Sequence, residues 1–141
     1  QIIDELKDLK VNTMLISDGD VSGALLISKP EYKVDIFLGI GGGPEGVLAA
    51  SALDCYDCYF QGRFIFDKDI REAKEMGITN FSKKYELNEI IKGDSIFCAT
   101  GITTNEVIEG INIKGDSYIS ETLITHKDSN TKEIMKKTYP I

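Results

Sequence analysis

Apolar positions follow two different rhythms along the chain, and the alternation between them sets the expected fold. Ile2, Ile3, Leu6 and Leu9 keep the spacing of one helix face, which predicts an amphipathic helix over 1–10. A β-branched and apolar run at 13–16 reads as a strand, ending in Ser17-Asp18-Gly19-Asp20, and 21–28 reads as a helix for which Asp20 is a natural N-cap. Pro30 breaks the chain before the next strand, built on Val34, Ile36, Phe37 and Leu38. That strand runs into Gly39, Gly41, Gly42 and Gly43. Pro44 then supplies a φ suited to a first helical turn, and Glu45, Val47, Leu48, Ala49, Ala50, Ala52 and Leu53 continue the helix.

The second half repeats the alternation. Residues 59–66 read as a buried strand interrupted by Gln61-Gly62-Arg63; Asp67 or Asp69 is placed to cap a short helix through Met76, which Gly77 ends. Asn88 is expected to cap 89–92, with Gly93 as the stop, ahead of a strand at 95–99. Thr103 and Glu106 have capping-box spacing for a helix through Glu109. Lys114-Gly115-Asp116 reads as a turn, and 118–126 and 132–139 as an antiparallel hairpin around the polar stretch 127–130. The expected architecture is α/β: a mixed, largely parallel sheet with flanking helices and a C-terminal β-hairpin. Both Asp18-Gly19-Asp20 and the glycine cluster would then lie at carboxyl ends of strands, where open α/β sheets bind ligands.

At 141 residues the chain has the size of one domain, 1–141, without internal repeats or linkers. It begins at Gln1 inside a helical pattern, so it is expected to be a fragment of a longer protein. No apolar run reaches the about 18 residues of a membrane span, which points to a soluble protein. A net charge of −7 argues against nucleic-acid binding, and Lys136-Lys137 is too little for a basic stripe. Three cysteines without a secretory signal suit reduced thiols in the cytoplasm. Cys55 and Cys58 have CxxC spacing, but they follow a helix, whose negative end raises a thiol pKa instead of lowering it. His126 sits beside the hairpin turn and is expected at the surface.

The candidate chemistry lies on the loops. Bare glycines at a helix start let a phosphate approach unpaired N–H groups at the positive end of the dipole, although an ordinary strand-to-helix turn explains the same residues. The spacing fits neither a dinucleotide fingerprint nor a Walker A loop, since no lysine follows. Glu45 is either a helix-terminal charge or a metal ligand, because a carboxylate beside bound phosphate needs a divalent cation between them. Asp18 and Asp20 are either turn residues or carboxylates that accept hydrogen bonds from sugar hydroxyls or help to hold a metal. Gln61-Gly62-Arg63 is either a bulge with a surface arginine or a phosphate fork.

Taken in order, Ile16-Ser17-Asp18-Gly19-Asp20-Val21, Gly39 to Val47, Gln61-Gly62-Arg63 and Ala99-Thr100-Gly101-Ile102-Thr103 resemble class II fructose-1,6-bisphosphatase, within the superfamily of lithium-sensitive, metal-dependent sugar phosphatases. The likeness covers nearly the whole chain and matches the C-terminal part of that family. It implies that Asp18, Gly19, Asp20 and Gly42 bind substrate, and that Glu45 holds the catalytic Mg²⁺ or Mn²⁺. It implies a small-molecule sugar bisphosphate as partner, with neither nucleic acid nor membrane, and it allows a homo-oligomer. Arg63 matches a recurring motif without an assigned role, and Gly43 stands where alanine or threonine is common. The family's remaining acidic ligands and a basic substrate-binding segment have no match, so the catalytic acids are expected upstream and the fragment alone is expected to be inactive. A non-catalytic sugar-phosphate or nucleotide-binding module, or a purely structural domain, are the competing expectations.

Overall fold

The computed structural model describes residues 1–66 and 70–141. Its centre is a pair of small-residue helices laid on an antiparallel sheet. Helix α1 (Ile2–Asp8) precedes α2 (Asp20–Leu25), which tightens into a 3₁₀ turn at Leu26–Ser28; α3 spans Gly43–Asp54, α4 Ile70–Glu75 and α5 Leu87–Ile90. Alanines let α2 and α3 approach closely. Ala24 packs with Ala49 and Leu53, while Leu25 and Ala52 join Phe97, Ile108 and Leu123 from the sheet side. Removing Leu53 from water contributes about 2 kcal/mol, and it is among the largest fully buried side chains.

The main sheet is organised by β5 (Ser117–His126). On one edge β6 (Thr131–Pro140) pairs with its full length, from Ser117↔Pro140 to His126↔Thr131. The other edge is shared: β3 (Ile96–Thr100) takes Thr122 to His126, and β4 (Asn112–Lys114) takes Ser117 to Ile119. Phe97 points into the core while Ile96 and Cys98 face out, the alternation of a sheet covered on one face. The expected hairpin is present. A separate small ladder joins β1 (Gln61–Gly62) to β2 (Tyr85–Glu86), beside a cluster of Phe64, Phe66, Phe81 and Tyr85.

Several expectations are corrected. Every strand pair among the described residues is antiparallel, so the parallel part of the expected sheet is not observed. Residues 13–16 and 34–38 are extended but form no ladder, and of 59–66 only Gln61 and Gly62 pair, with Tyr59, Phe64 and Ile65 exposed. Apolar alternation specifies an extended backbone, whereas a strand also needs a partner with free N–H and C=O groups. Gly19, not Asp20, is the N-cap of α2, since φ of 83° there is open to glycine and Asp20 already lies in the first turn. At α5 the cap is Glu86, paired reciprocally with Glu89, and Asn88 falls inside the helix. The capping expected of Asp67 or Asp69 lies outside the described residues. Gly77 does end α4, with φ of 75° and with Ile78 N–H donating to the Ala73 carbonyl at 2.8 Å.

The expected helix after Thr103 is absent. Asn105 Oδ1 accepts the backbone N–H groups of Val107 at 2.8 Å and Ile108 at 3.1 Å, a local turn that competes with helix formation. The segment 101–111 instead forms a loop pinched at its base, where Ile111 N–H donates to the Ile102 carbonyl and Gly101 N–H to the Glu121 carbonyl.

Candidate functional site

The N-terminal end of α3 and the start of α2 face the loop 101–111 across one cleft of about 700 Å³. Asp18, Gly19, Asp20, Gly42 and Glu45 all line it, opposite Thr100, Gly101, Ile102, Thr103 and Asn105. Each side chain has a local reason to be there. Asp18 Oδ1 accepts the Gly19 N–H at 2.7 Å, closing the turn that launches α2, and Ser22 Oγ donates back to the Gly19 carbonyl at 2.9 Å. Gly42 is the N-cap of α3, with Pro44 in the first turn and Glu45 one residue on.

Two of the glycines are approached closely by the ends of flexible carboxylate side chains. A Cβ on Gly41 would stand 2.5 Å from Asp20 Oδ2, and one on Gly42 would run into Glu45 Oε2. Two carboxylates, from two helices, therefore lie against consecutive residues of one loop. A Cβ on Gly43 would meet only Phe64 Cε1 at 3.9 Å, ordinary contact, so alanine would fit there without moving its neighbours.

The cleft is acidic. No lysine or arginine is among its lining residues, and none of Asp18, Asp20 or Glu45 takes part in a salt bridge among the described residues. Their oxygens suit a hard divalent cation, which prefers carboxylate and carbonyl ligands. The set is incomplete: among the described residues no three His, Cys, Asp or Glu side chains gather closely enough to hold a metal ion.

The other polar clusters lie elsewhere. At the far end of α3, Lys127 Nζ donates to the Asp54 carbonyl at 2.6 Å and to Asp57 Oδ1 at 2.5 Å, while Ser95 Oγ donates to Asp54 Oδ2 at 2.8 Å. His126 bonds Asp94 through Nε2 and Ser129 through Nδ1. Its hydrogen bond holds the Asp94 carboxyl below the usual carboxylate range. Burial, then the charge of Asp57, push the Cys58 thiol up, against a smaller opposing effect of Lys132. Cys55 is buried, and neither cysteine lines the cleft.

With that geometry in view, comparison with known proteins decides the family. The family model described as bacterial fructose-1,6-bisphosphatase, glpX-encoded, matches residues 1–139. The chain belongs to this family. A D-fructose 1,6-bisphosphatase class 2/sedoheptulose 1,7-bisphosphatase from Synechococcus sp. (strain JA-2-3B'a(2-13)) is 34% identical over 145 aligned positions, covering 92% of this chain and 42% of the relative. The fructose-1,6-bisphosphatase 1 class 2 of Escherichia coli (strain K12) is also 34% identical, over 92% of this chain and 43% of its own length. A counterpart from Microcystis aeruginosa (strain NIES-843 / IAM M-2473) is 32% identical over 93% and 42%. The chain of this fructose-1,6-bisphosphatase family member thus spans about two fifths of the curated relatives it matches.

The five residues singled out from the bisphosphatase resemblance come together, whereas Arg63 is exposed and not among the residues lining the cleft. His126 is partly exposed at the hairpin turn and likewise outside the cleft. The loop 101–111 was not expected to face the site. Its usable signal was Thr-Gly-Ile-Thr directly after a strand, but the capping-box spacing of Thr103 and Glu106 supplied a competing helical explanation. No helix among the described residues is long and apolar enough to cross a membrane.

Proposed function

We propose that residues 1–141 form the C-terminal part of a longer metal-dependent phosphatase acting in the cytoplasm, one that removes the 1-phosphate of fructose 1,6-bisphosphate and the corresponding phosphate of sedoheptulose 1,7-bisphosphate. The observation carrying this reading is the acidic cleft itself: Asp18, Asp20 and Glu45 surround a glycine-rich helix start without a basic residue among the lining. A phosphate can enter such a cleft only with its charge bridged by a cation. When bound, Mg²⁺ or Mn²⁺ supplies charge neutralisation at the phosphoryl oxygens and a more acidic water. Glu45 is the ligand this chain offers; Asp18 and Asp20 accept hydrogen bonds from sugar hydroxyls, and Gly42 keeps the approach to the helix start clear. The relatives' printed names support the two substrates. Among the described residues the carboxylate set is incomplete; the reading places the remaining ligands in a part of the polypeptide outside 1–141 and expects the isolated chain to be inactive.

The test is phosphate release by the longer polypeptide with Mn²⁺, with chelator, and with Glu45→Gln, which keeps size but removes the charge. Chelator abolishes turnover, and Glu45→Gln lowers it about 100-fold or more while the melting temperature stays within a few degrees. Substrate binding that persists unchanged in chelator would make the cleft a non-catalytic phosphate-binding module, and unaltered turnover of Glu45→Gln at limiting metal would reduce Glu45 to a helix-end charge.

A further inference from the structure

An aspartate, a histidine and a serine meet in series where the β5–β6 hairpin turn folds against the residues just ahead of β3. Asp94 Oδ2 bonds His126 Nε2, and His126 Nδ1 lies 2.7 Å from Ser129 Oγ. Ser129 Oγ in turn lies 2.7 Å from Thr131 Oγ1. An ionised carboxylate only accepts, so in neutral His126 the proton sits on Nε2 and Nδ1 is left as an acceptor for the Ser129 hydroxyl. The one proton of that hydroxyl is then committed to His126, and Thr131 is the donor to Ser129. The hydrogen bonds thus run in one direction, from Thr131 through Ser129 and His126 to Asp94.

Fastening the turn does not require this chain of bonds. Lys127 N–H donates to the Ser95 carbonyl at 2.9 Å, and Asp128 N–H donates to Asp94 Oδ1 at 3.1 Å. Asn130, with φ of 52°, closes the turn by donating its N–H to the Lys127 carbonyl at 3.0 Å. Ser129 adds nothing to these backbone ties. Its side chain is exposed, and its N–H makes no hydrogen bond to the described residues. A hydroxyl within hydrogen-bond reach of a base, with the base oriented by a third group, is the arrangement that activates a nucleophile. The free N–H of the same residue is a donor of the kind that holds a developing oxyanion.

We propose that Ser129 is a nucleophilic hydroxyl that takes an acyl group from a small activated ester, with His126 as its general base and Asp94 holding the His126 tautomer. Ser129 Oγ forms a bond to the acyl carbon while its proton passes to His126 Nδ1. The bond from that carbon to the leaving oxygen breaks, the leaving group departs with the electron pair, and His126 returns the proton to water. The product is an acyl ester on Ser129. Exposure sets the substrate class, because an open turn suits a compact donor whose acyl carbon alone must reach the hydroxyl. None of Asp94, His126 and Ser129 lines the cleft of Asp18, Asp20 and Glu45, so the proposal does not rest on the phosphatase function.

The longer polypeptide treated with p-nitrophenyl acetate, with its acetylated peptides mapped by mass spectrometry, tests this. The expected product is an acetyl ester on Ser129, labile to hydroxylamine, that forms about 100-fold more slowly in His126→Ala. Added imidazole restores labelling of Ser129 in His126→Ala, which a merely structural histidine would not permit. Asp94→Asn, which keeps the size of the side chain and leaves the ring in place, slows labelling at least about 10-fold because an amide no longer selects the tautomer. Ser129→Ala loses the ester while phosphate release and the melting temperature stay unchanged. Acetyl groups on lysines with none on Ser129 would overturn the proposal, and so would equal labelling of Ser129 in the unaltered protein and in folded Asp94→Asn and His126→Ala.

Discussion

Helix α3 has acidic residues near both ends, and the fold treats the two groups in opposite ways. At its C-terminus Asp54, the last residue of the helix, and Asp57 just beyond it share Lys127, and nearby Asp94 is bound by His126. At its N-terminus Glu45, with Asp18 and Asp20 beside it, has no cationic partner among the described residues. The helix dipole accounts for part of this contrast, since carboxylates are favoured at the positive end and need compensation at the negative one. It does not account for Asp18 and Asp20 being drawn to the same cleft in a chain whose net charge is −7. Gathering like charges without a counter-charge costs stability. The acids at one end are paired, and those at the other are the ones the proposed function assigns to a ligand.

Gly42→Ala breaks the comparison most severely. The new Cβ displaces Glu45 Oε2, and a shift of about 1 Å at a reacting centre costs about 100-fold in kcat/KM. Stability falls by less than about 1 kcal/mol, as expected at an N-cap, and steady-state kinetics of the longer protein with a melting curve reads both. Ser95→Ala acts at the other end. It removes the 2.8 Å hydrogen bond from buried Ser95 to Asp54, costing about 1 kcal/mol in a urea titration with kcat/KM unchanged. Equal losses of activity in the two variants would erase the division between the ends.

The smallest effect is on pH dependence. Asp57, bonded by Lys127, and Asp94, bonded by His126, are both held below their ordinary value of 3.8, so their contribution is present above that pH and is lost as pH falls through the lower folded values. Lys127 is raised above 10.5 by its bond to Asp57, so its contribution is present below that pH and lost as pH rises through the higher folded value. Urea midpoints therefore fall on the acid side, and Asp94→Asn shallows that acid fall.

Much of this was legible in the chain. The glycine cluster followed by Pro44 marks the start of α3, and Asp18-Gly19-Asp20 marks the start of α2, because caps and turns are local. The hairpin of β5 and β6 is local too. What could not be read was pairing. Val34 to Leu38 has the composition of a buried strand, yet its neighbours in space are not specified by its own residues. The loop 101–111 was misread for a related reason, since Asn105 and the helical spacing of Thr103 and Glu106 compete for the same backbone N–H groups and only the packed structure shows which wins. Convergence of Asp18, Asp20, Gly42 and Glu45 was expected from the resemblance together with strand-end placement; it arises through helix starts instead.

The most direct test of half a site is phosphate release from fructose 1,6-bisphosphate at saturating Mn²⁺, comparing residues 1–141 with the longer polypeptide. Turnover by the longer protein, with none above background from the 141-residue chain, is the predicted result. Comparable turnover numbers from the two would contradict it, because all the carboxylates needed for catalysis would then lie within this chain.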